Sequence, residues 1–250
     1  MNQGIKTIRF MVIISVAFIV VLATVNEATK ARITQNFELE QAKSILYAFN
    51  IFPQGVTEDQ LPLTSVTADI PWEETELLQV IASRLEPVSI PIPKEMQAAA
   101  TGSFLEGQTA VDVYVGKNEA GEVIAYGLPL YGKGLWGTIE GIGVIAADLS
   151  TMVGIDFTKQ VETPGLGARI IQKEYKYFFR NLDLSGFYEQ SAIHPPVIMV
   201  KQKDQTNLEH SSNSVQAITG ATQTSQGVLE MVNSNLALYI PLLQAYQEQR

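Results

Sequence analysis

The 250-residue chain contains no cysteine. That excludes disulfide bridges, a thiolate nucleophile and a cysteine-ligated iron–sulfur cluster. Histidine is almost as scarce: His194 precedes Pro195-Pro196, and His210 lies in a polar run. Neither has metal-ligand spacing, so both read as solvent-facing loop residues and no metal site is expected. A basic block is also missing, with 17 Lys and Arg against 26 Asp and Glu and a net charge of −9. Nucleic acid is therefore excluded as a partner, because phosphate contacts need clustered cations. No internal repeat or low-complexity segment stands out.

Charge is missing altogether from Phe10 to Val25, sixteen residues that follow Lys6 and Arg9. With Ile8 and snorkelling neighbours this run is long enough to span a bilayer. Its exit, LATVNEATK, offers no clean small-x-small cleavage site, so it reads as a retained anchor and not as a signal peptide. Lys6, Arg9 and the amino terminus favour a cytoplasmic N-terminus, which puts residues 30–250 outside.

The expected organisation is a cytoplasmic tip and transmembrane anchor over 1–29, a helical stalk and connector over 30–95, and a main domain over 96–250. Apolar spacing predicts a helix over Phe37–Phe49 with Asn36 as N-cap, and a second over Trp72–Arg84. Three prolines in Glu86–Pro93 forbid a helix interior and suggest an extended connector. Strands are expected at Ala110–Val115, Val123–Tyr131, Thr138–Ala147, Met152–Phe157 and Pro196–Val200, with helices at Ala168–Phe179 and Val228–Tyr239. Strands gathered ahead of helices imply an α+β domain with a mixed or antiparallel sheet and flanking helices.

Gly132–Gly137 (GKGLWG) satisfies the G-x-G-x-x-G pattern, but the residues after it have strand composition. A dinucleotide site needs a helix there, so the pattern reads as a turn presenting Leu135 and Trp136 as a core plug or as an apolar wall for a planar ligand. Two other loops are richer. In Glu162-Thr163-Pro164-Gly165-Leu166-Gly167, Pro and Gly fit the central positions of a type II turn. In Ile218–Val228 (ITGATQTSQGV), Thr219, Thr222, Thr224 and Ser225 precede an apolar-periodic stretch. Thr222 or Ser225 can cap that helix. Equally, Gly220 and Ala221 admit a bulky group, and the first helical turn favours an anion beside Thr222. Local physics leaves both open.

T-G-A-T-Q-T-S at Thr219–Ser225, with E-T-P-G-L-G upstream and the N-terminal anchor, resembles the covalent FMN-binding subunits of bacterial respiratory complexes. These are the C subunit of the sodium-translocating NADH:quinone oxidoreductase and the G subunit of the Rnf complex. GKGLWG and the Asn36–Leu46 pattern look closer to the former. The resemblance implies FMN joined by a phosphoester to Thr222, placed there by a flavin transferase. It also implies that Thr219, Gly220 and Ala221 frame the attachment, that Glu162, Thr163, Gly165, Leu166 and Gly167 border the isoalloxazine, and that Leu135 and Trp136 lie on its apolar side. The implied role is an electron carrier that binds neither NADH nor quinone. It would sit in the bacterial inner membrane among the other subunits of a complex exporting sodium. The alternatives are an Rnf-type carrier, or an anchored non-redox module whose loop is only a helix cap. One departure is Gln216, which stands where the family's D-x-x-S/T-G-A-T pattern has an acid.

Overall fold

The computed structural model describes residues 3–188, 196–200 and 212–249. His194 and His210 lie outside the described residues. Two compact units divide after Glu40.

The first unit holds most of α1 (Gln3–Ala48), which is long and apolar enough to cross a membrane. Phe10, Ile13, Phe18 and Leu22 on it are all exposed. Asn36 is not an N-cap, because helix runs uninterrupted through it. Nothing in this stretch is a strong breaker, so backbone hydrogen bonding simply continues.

The second unit is an α+β domain. Among the described residues, six of its strands form one sheet and pair in sequence order, every pair antiparallel: β1 (Leu85–Pro91), β2 (Ala110–Lys117), β3 (Val123–Lys133), β4 (Thr138–Ala146), β5 (Thr151–Lys159) and β6 (Leu182–Asp183). A separate parallel pair joins β7 (Ile198–Val200) to β8 (Ser214–Gln216). The proline-rich stretch expected as a connector is the edge strand β1, whose only ladder partner among the described residues is β2. An edge strand tolerates Pro87 and Pro91 because half its N–H groups need no ladder partner.

Among the helices are α2 (Glu74–Arg84), the short α3 (Lys94–Ala99) and α4 (Lys173–Lys176), and the long α5 (Thr222–Glu248). The helix expected over 168–179 is broken into a 3₁₀ turn at Gly167–Ile171, then α4, then a second 3₁₀ turn at Tyr177–Phe179. The cause is competition for backbone donors. Gln172 is extended, and the N–H groups of Lys173 and Glu174 donate to Ser65 and Leu63 carbonyls at 2.8 Å.

α5 docks on β3 through a side chain that acts as a strand. Pairing of β2 with β3 stops at Gly127, leaving the rest of β3 without a ladder on that side. Buried Asn235 fills the gap: its Oδ1 accepts from the Tyr131 N–H at 2.9 Å and its Nδ2 donates to the Tyr131 carbonyl at 3.0 Å. Tyr239 donates to the Pro129 carbonyl at 2.9 Å. Val228, Val232, Leu236 and Leu243 put the apolar face of α5 into the core. The register of this packing fixes where the N-terminus of α5 falls.

Candidate functional site

That N-terminus meets the two glycine-rich loops. Gly134 N–H donates to the Gly137 carbonyl at 2.8 Å, closing the GKGLWG turn between β3 and β4. No helix comes after it, so it builds no dinucleotide site. Trp136 is 68% exposed and Leu135 49%. They are not a core plug.

In the second loop Leu166 N–H donates to the Thr163 carbonyl at 3.1 Å, and Gly165 at the third position has φ +76°. That is the turn which Pro-Gly predicts. Thr163, Gly165 and Leu166 are exposed, whereas Glu162 and Gly167 are buried. The third loop repeats the device: Ala221 N–H donates to the Ile218 carbonyl at 2.9 Å across Gly220, whose φ is +81°. Leu166 lies over Gly220, with its Cδ2 3.3 Å from where a Cβ would stand.

Glu162 binds the three loops together. Its Oε1 accepts from the Trp136 N–H at 3.0 Å, and its Oε2 accepts from the Thr224 hydroxyl at 2.5 Å. Two absent side chains make room for it. A Cβ on Gly134 would strike Glu162 Oε1, and one on Gly167 would stand 2.8 Å from Oε2.

Of the four hydroxyls, Thr219 and Thr222 are exposed, while Thr224 and Ser225 are buried. Neither Thr222 nor Ser225 caps α5. Its N-cap is Ala221, with no side-chain cap. The Ser225 hydroxyl instead accepts from the Ile218 N–H at 2.9 Å and donates to the Ala221 carbonyl at 3.1 Å. The first backbone N–H that bonds within the helix is that of Ser225, to Ala221 at 3.0 Å. The preceding helical N–H groups therefore have no acceptor within the helix. They surround exposed Thr222 with positive partial charge.

Sequence reasoning missed three contributors. Thr224 was readable as a partner-seeking residue, since it falls on the face that buries Val228, Met231 and Asn235. Val161, 59% exposed, lies against the GKGLWG turn, where a Cβ on Gly137 would strike its Cγ2. Gly227 had no signal beyond its place inside a helix. A Cβ there would strike the Lys133 carbonyl oxygen and lie 3.3 Å from Gly134 Cα. Gly227→Ala is thus expected to destabilise the protein by about 1–3 kcal/mol through overpacking. This outweighs the ~1 kcal/mol that Ala ordinarily gains over Gly in a helix. Chemical denaturation of the detergent-extracted chain measures it; a stabilised variant would refute this close approach.

Residues 134–237 match the FMN-binding domain family, a stretch that begins at the GKGLWG turn and ends within α5. The chain is also similar to C and G subunits of ion-translocating oxidoreductases. It is 37% identical over 117 residues to the C subunit of the Na(+)-translocating NADH-quinone reductase of Pasteurella multocida, covering 47% of this chain and 42% of that one. To the G subunit of the ion-translocating oxidoreductase complex of Methanosarcina acetivorans it is 31% identical over 136 residues, covering 54% and 62%. The chain thus spans about half the length of the curated relatives it matches. The crystal structure of the C subunit of the Na(+)-translocating NADH-quinone reductase from Parabacteroides distasonis superposes with a TM-score of 0.57 at 25% identity, covering 86% of this chain and 96% of that one. NqrC of Shewanella oneidensis shares the fold, with a TM-score of 0.60 at 18% identity over 85% and 99%.

Proposed function

We propose that this chain is an electron-carrier subunit holding FMN through a phosphoester to Thr222, within a membrane NADH:quinone oxidoreductase that couples electron flow to sodium export. In this reading residues 1–29 are the cytoplasmic tip and anchor, 30–95 link it to the domain and supply β1, and 96–250 hold the flavin outside the membrane. The observation that carries the reading is an exposed threonine at the first position of an uncapped 27-residue helix, on a glycine turn.

The residues suit the group. N–H groups at the start of α5, which have no acceptor within the helix, stabilise the single negative charge of a phosphodiester. Gly220 leaves space beside the ester. Leu135, Trp136 and Leu166 offer apolar surface to a planar ring, and Glu162 holds their loops in register through Trp136 and Thr224. When bound, FMN supplies one- and two-electron redox chemistry. The chain supplies attachment, shielding from water and a fixed position. Attachment itself requires a flavin transferase, and electron delivery requires the other subunits of the complex.

The test is mass. Full-length protein co-expressed with a flavin transferase and extracted from membranes is expected to be yellow and heavier by one FMN less one water. The added mass should map to the peptide containing Thr222. A colourless chain of unmodified mass, made alongside an active transferase, would defeat the reading and leave an anchored non-redox module. The match to a G subunit favours an Rnf-type carrier as the second reading, and the subunits that co-purify with the chain separate the two.

A further inference from the structure

A cavity of about 150 Å³ opens beside the loop that leads into α5, walled by Arg169, Glu174, Tyr175, Phe178, Gln216 and Thr219. Among the described residues, three buried side-chain polar atoms have no hydrogen-bond partner, and two of them belong to this wall: the Tyr175 hydroxyl and Gln216 Nε2. Tyr175 is 3% exposed. Ser225 is its polar neighbour, but the single Ser225 proton goes to the Ala221 carbonyl and no hydrogen bond joins the two hydroxyls. Burial raises the pKa of the Tyr175 phenol, so it stays a donor. A buried donor left without an acceptor costs about 1–3 kcal/mol. Two such donors in one wall mark a place where something else supplies the acceptors.

Size and charge narrow what that is. About 150 Å³ is the volume that holds one six-membered ring and no more. Arg169, the cation in the wall, is paired with Glu174 at 2.8 Å, so the cavity carries donors without a net positive charge. Carbonyl oxygens suit it better than phosphate, which would arrive with uncompensated charge. Tyr175 and Phe178 provide aromatic surface, and the Glu174 carboxylate is an acceptor of the kind an imide N–H requires.

We propose that this cavity receives the pyrimidinedione end of the flavin, with Tyr175 and Gln216 donating to its carbonyl oxygens. The assignment rests on the attachment at Thr222 proposed above, three residues from the cavity wall at Thr219. It makes Tyr175 and Gln216 determinants of the flavin's electronics: donors at those carbonyls stabilise the negative charge that reduction adds to the ring.

The experiment uses the full-length, transferase-modified chain in detergent with Tyr175→Phe, Gln216→Met and the double substitution. Tyr175→Phe removes only the unpartnered hydroxyl and Gln216→Met removes the whole amide, unpartnered Nε2 included; both keep the side chain's bulk, so folding is expected to survive. Mass spectrometry first establishes that flavin is attached. The expected result is a more negative reduction potential and displaced visible absorption bands in each single variant, larger in the double. Attached flavin with the wild-type potential and spectrum in all three would overturn the assignment and leave the cavity to water. Failure of the attachment reading shows differently, as wild type without the FMN mass. Free riboflavin titrated into the unmodified chain then decides the cavity. Fluorescence quenching that Tyr175→Phe loses supports it, and quenching that is absent or equal in both overturns it.

Discussion

Thr222→Ala is expected to abolish covalent flavin and leave the fold almost untouched. The opposite is expected of Thr224→Ala, two residues away. Thr222 makes no cap, so its removal forfeits none of the ~1 kcal/mol that a lost N-cap costs. Alanine is also the better helix former, and the net change should stay within about 0.5 kcal/mol. Flavin mass and in-gel flavin fluorescence after denaturation should nevertheless vanish. Thr224, 1% exposed, donates to the buried Glu162 carboxylate, so truncating it leaves that carboxylate short of a donor. The expected loss is about 1–3 kcal/mol, with flavin still on Thr222. Intact mass and unfolding midpoints on the same two samples test both halves. A fluorescent Thr222→Ala, or a flavin-free but stable Thr224→Ala, would move the attachment to Thr224.

The strands of this domain were legible because each carries its own signal. β2 to β5 alternate or run apolar between turn residues, and their predicted spans differ from the observed ones by a few residues. The turn at Thr163–Leu166 was legible for the same local reason, since Pro-Gly fixes two backbone angles within four residues. What was not legible depends on distance. Glu162 and Thr224 are 62 positions apart, and only the docking of α5 on β3 brings them together. The break at Gln172 is similar. A helical pattern over 168–179 is real, but Ser65 and Leu63, more than 100 positions away, take the N–H groups that would have continued it. β1 failed differently: its prolines are a true local signal against a central strand, and they say nothing against an edge. The cap at Thr222 or Ser225 was a sound local reading that the fold declined. The loop needed the Ser225 hydroxyl for Ile218 instead.

Lys176→Met is expected to remove a large part of the domain's stability, by breaking a buried charge cluster that no single stretch of sequence reveals. Lys176 and Asp156 are each 1% exposed and meet at 2.9 Å. Thr67 donates to the other Asp156 oxygen at 2.5 Å, and the ammonium stands 3.7 Å from the centre of the Tyr47 ring. Beside them Arg180 bonds both oxygens of Glu58, at 2.9 and 3.1 Å, and donates to the carbonyls of Tyr47 and Ala48 at the end of α1. Removing the ammonium strands a buried carboxylate, which costs about 3–5 kcal/mol. That is a large share of the roughly 5–15 kcal/mol that holds an ordinary domain together. Lys159→Met, by contrast, breaks a bridge to Glu140 whose lysine side chain is 60% exposed, and should cost under about 1 kcal/mol. Adding Asp156→Asn to Lys176→Met should recover part of the loss, because the stranded charge is then gone. The pH response carries a definite sign. Burial lowers the pKa of Lys176 below 10.5, outweighing the pull of Asp156 in the other direction. Between the folded value and 10.5, the unfolded chain holds a proton that the folded chain has released. Wild type should therefore gain stability relative to Lys176→Met as pH climbs through that window. Denaturation curves of the two proteins across alkaline pH measure the gap, and a gap that narrows on raising the pH would show that the carboxylates around the ammonium outweigh its burial.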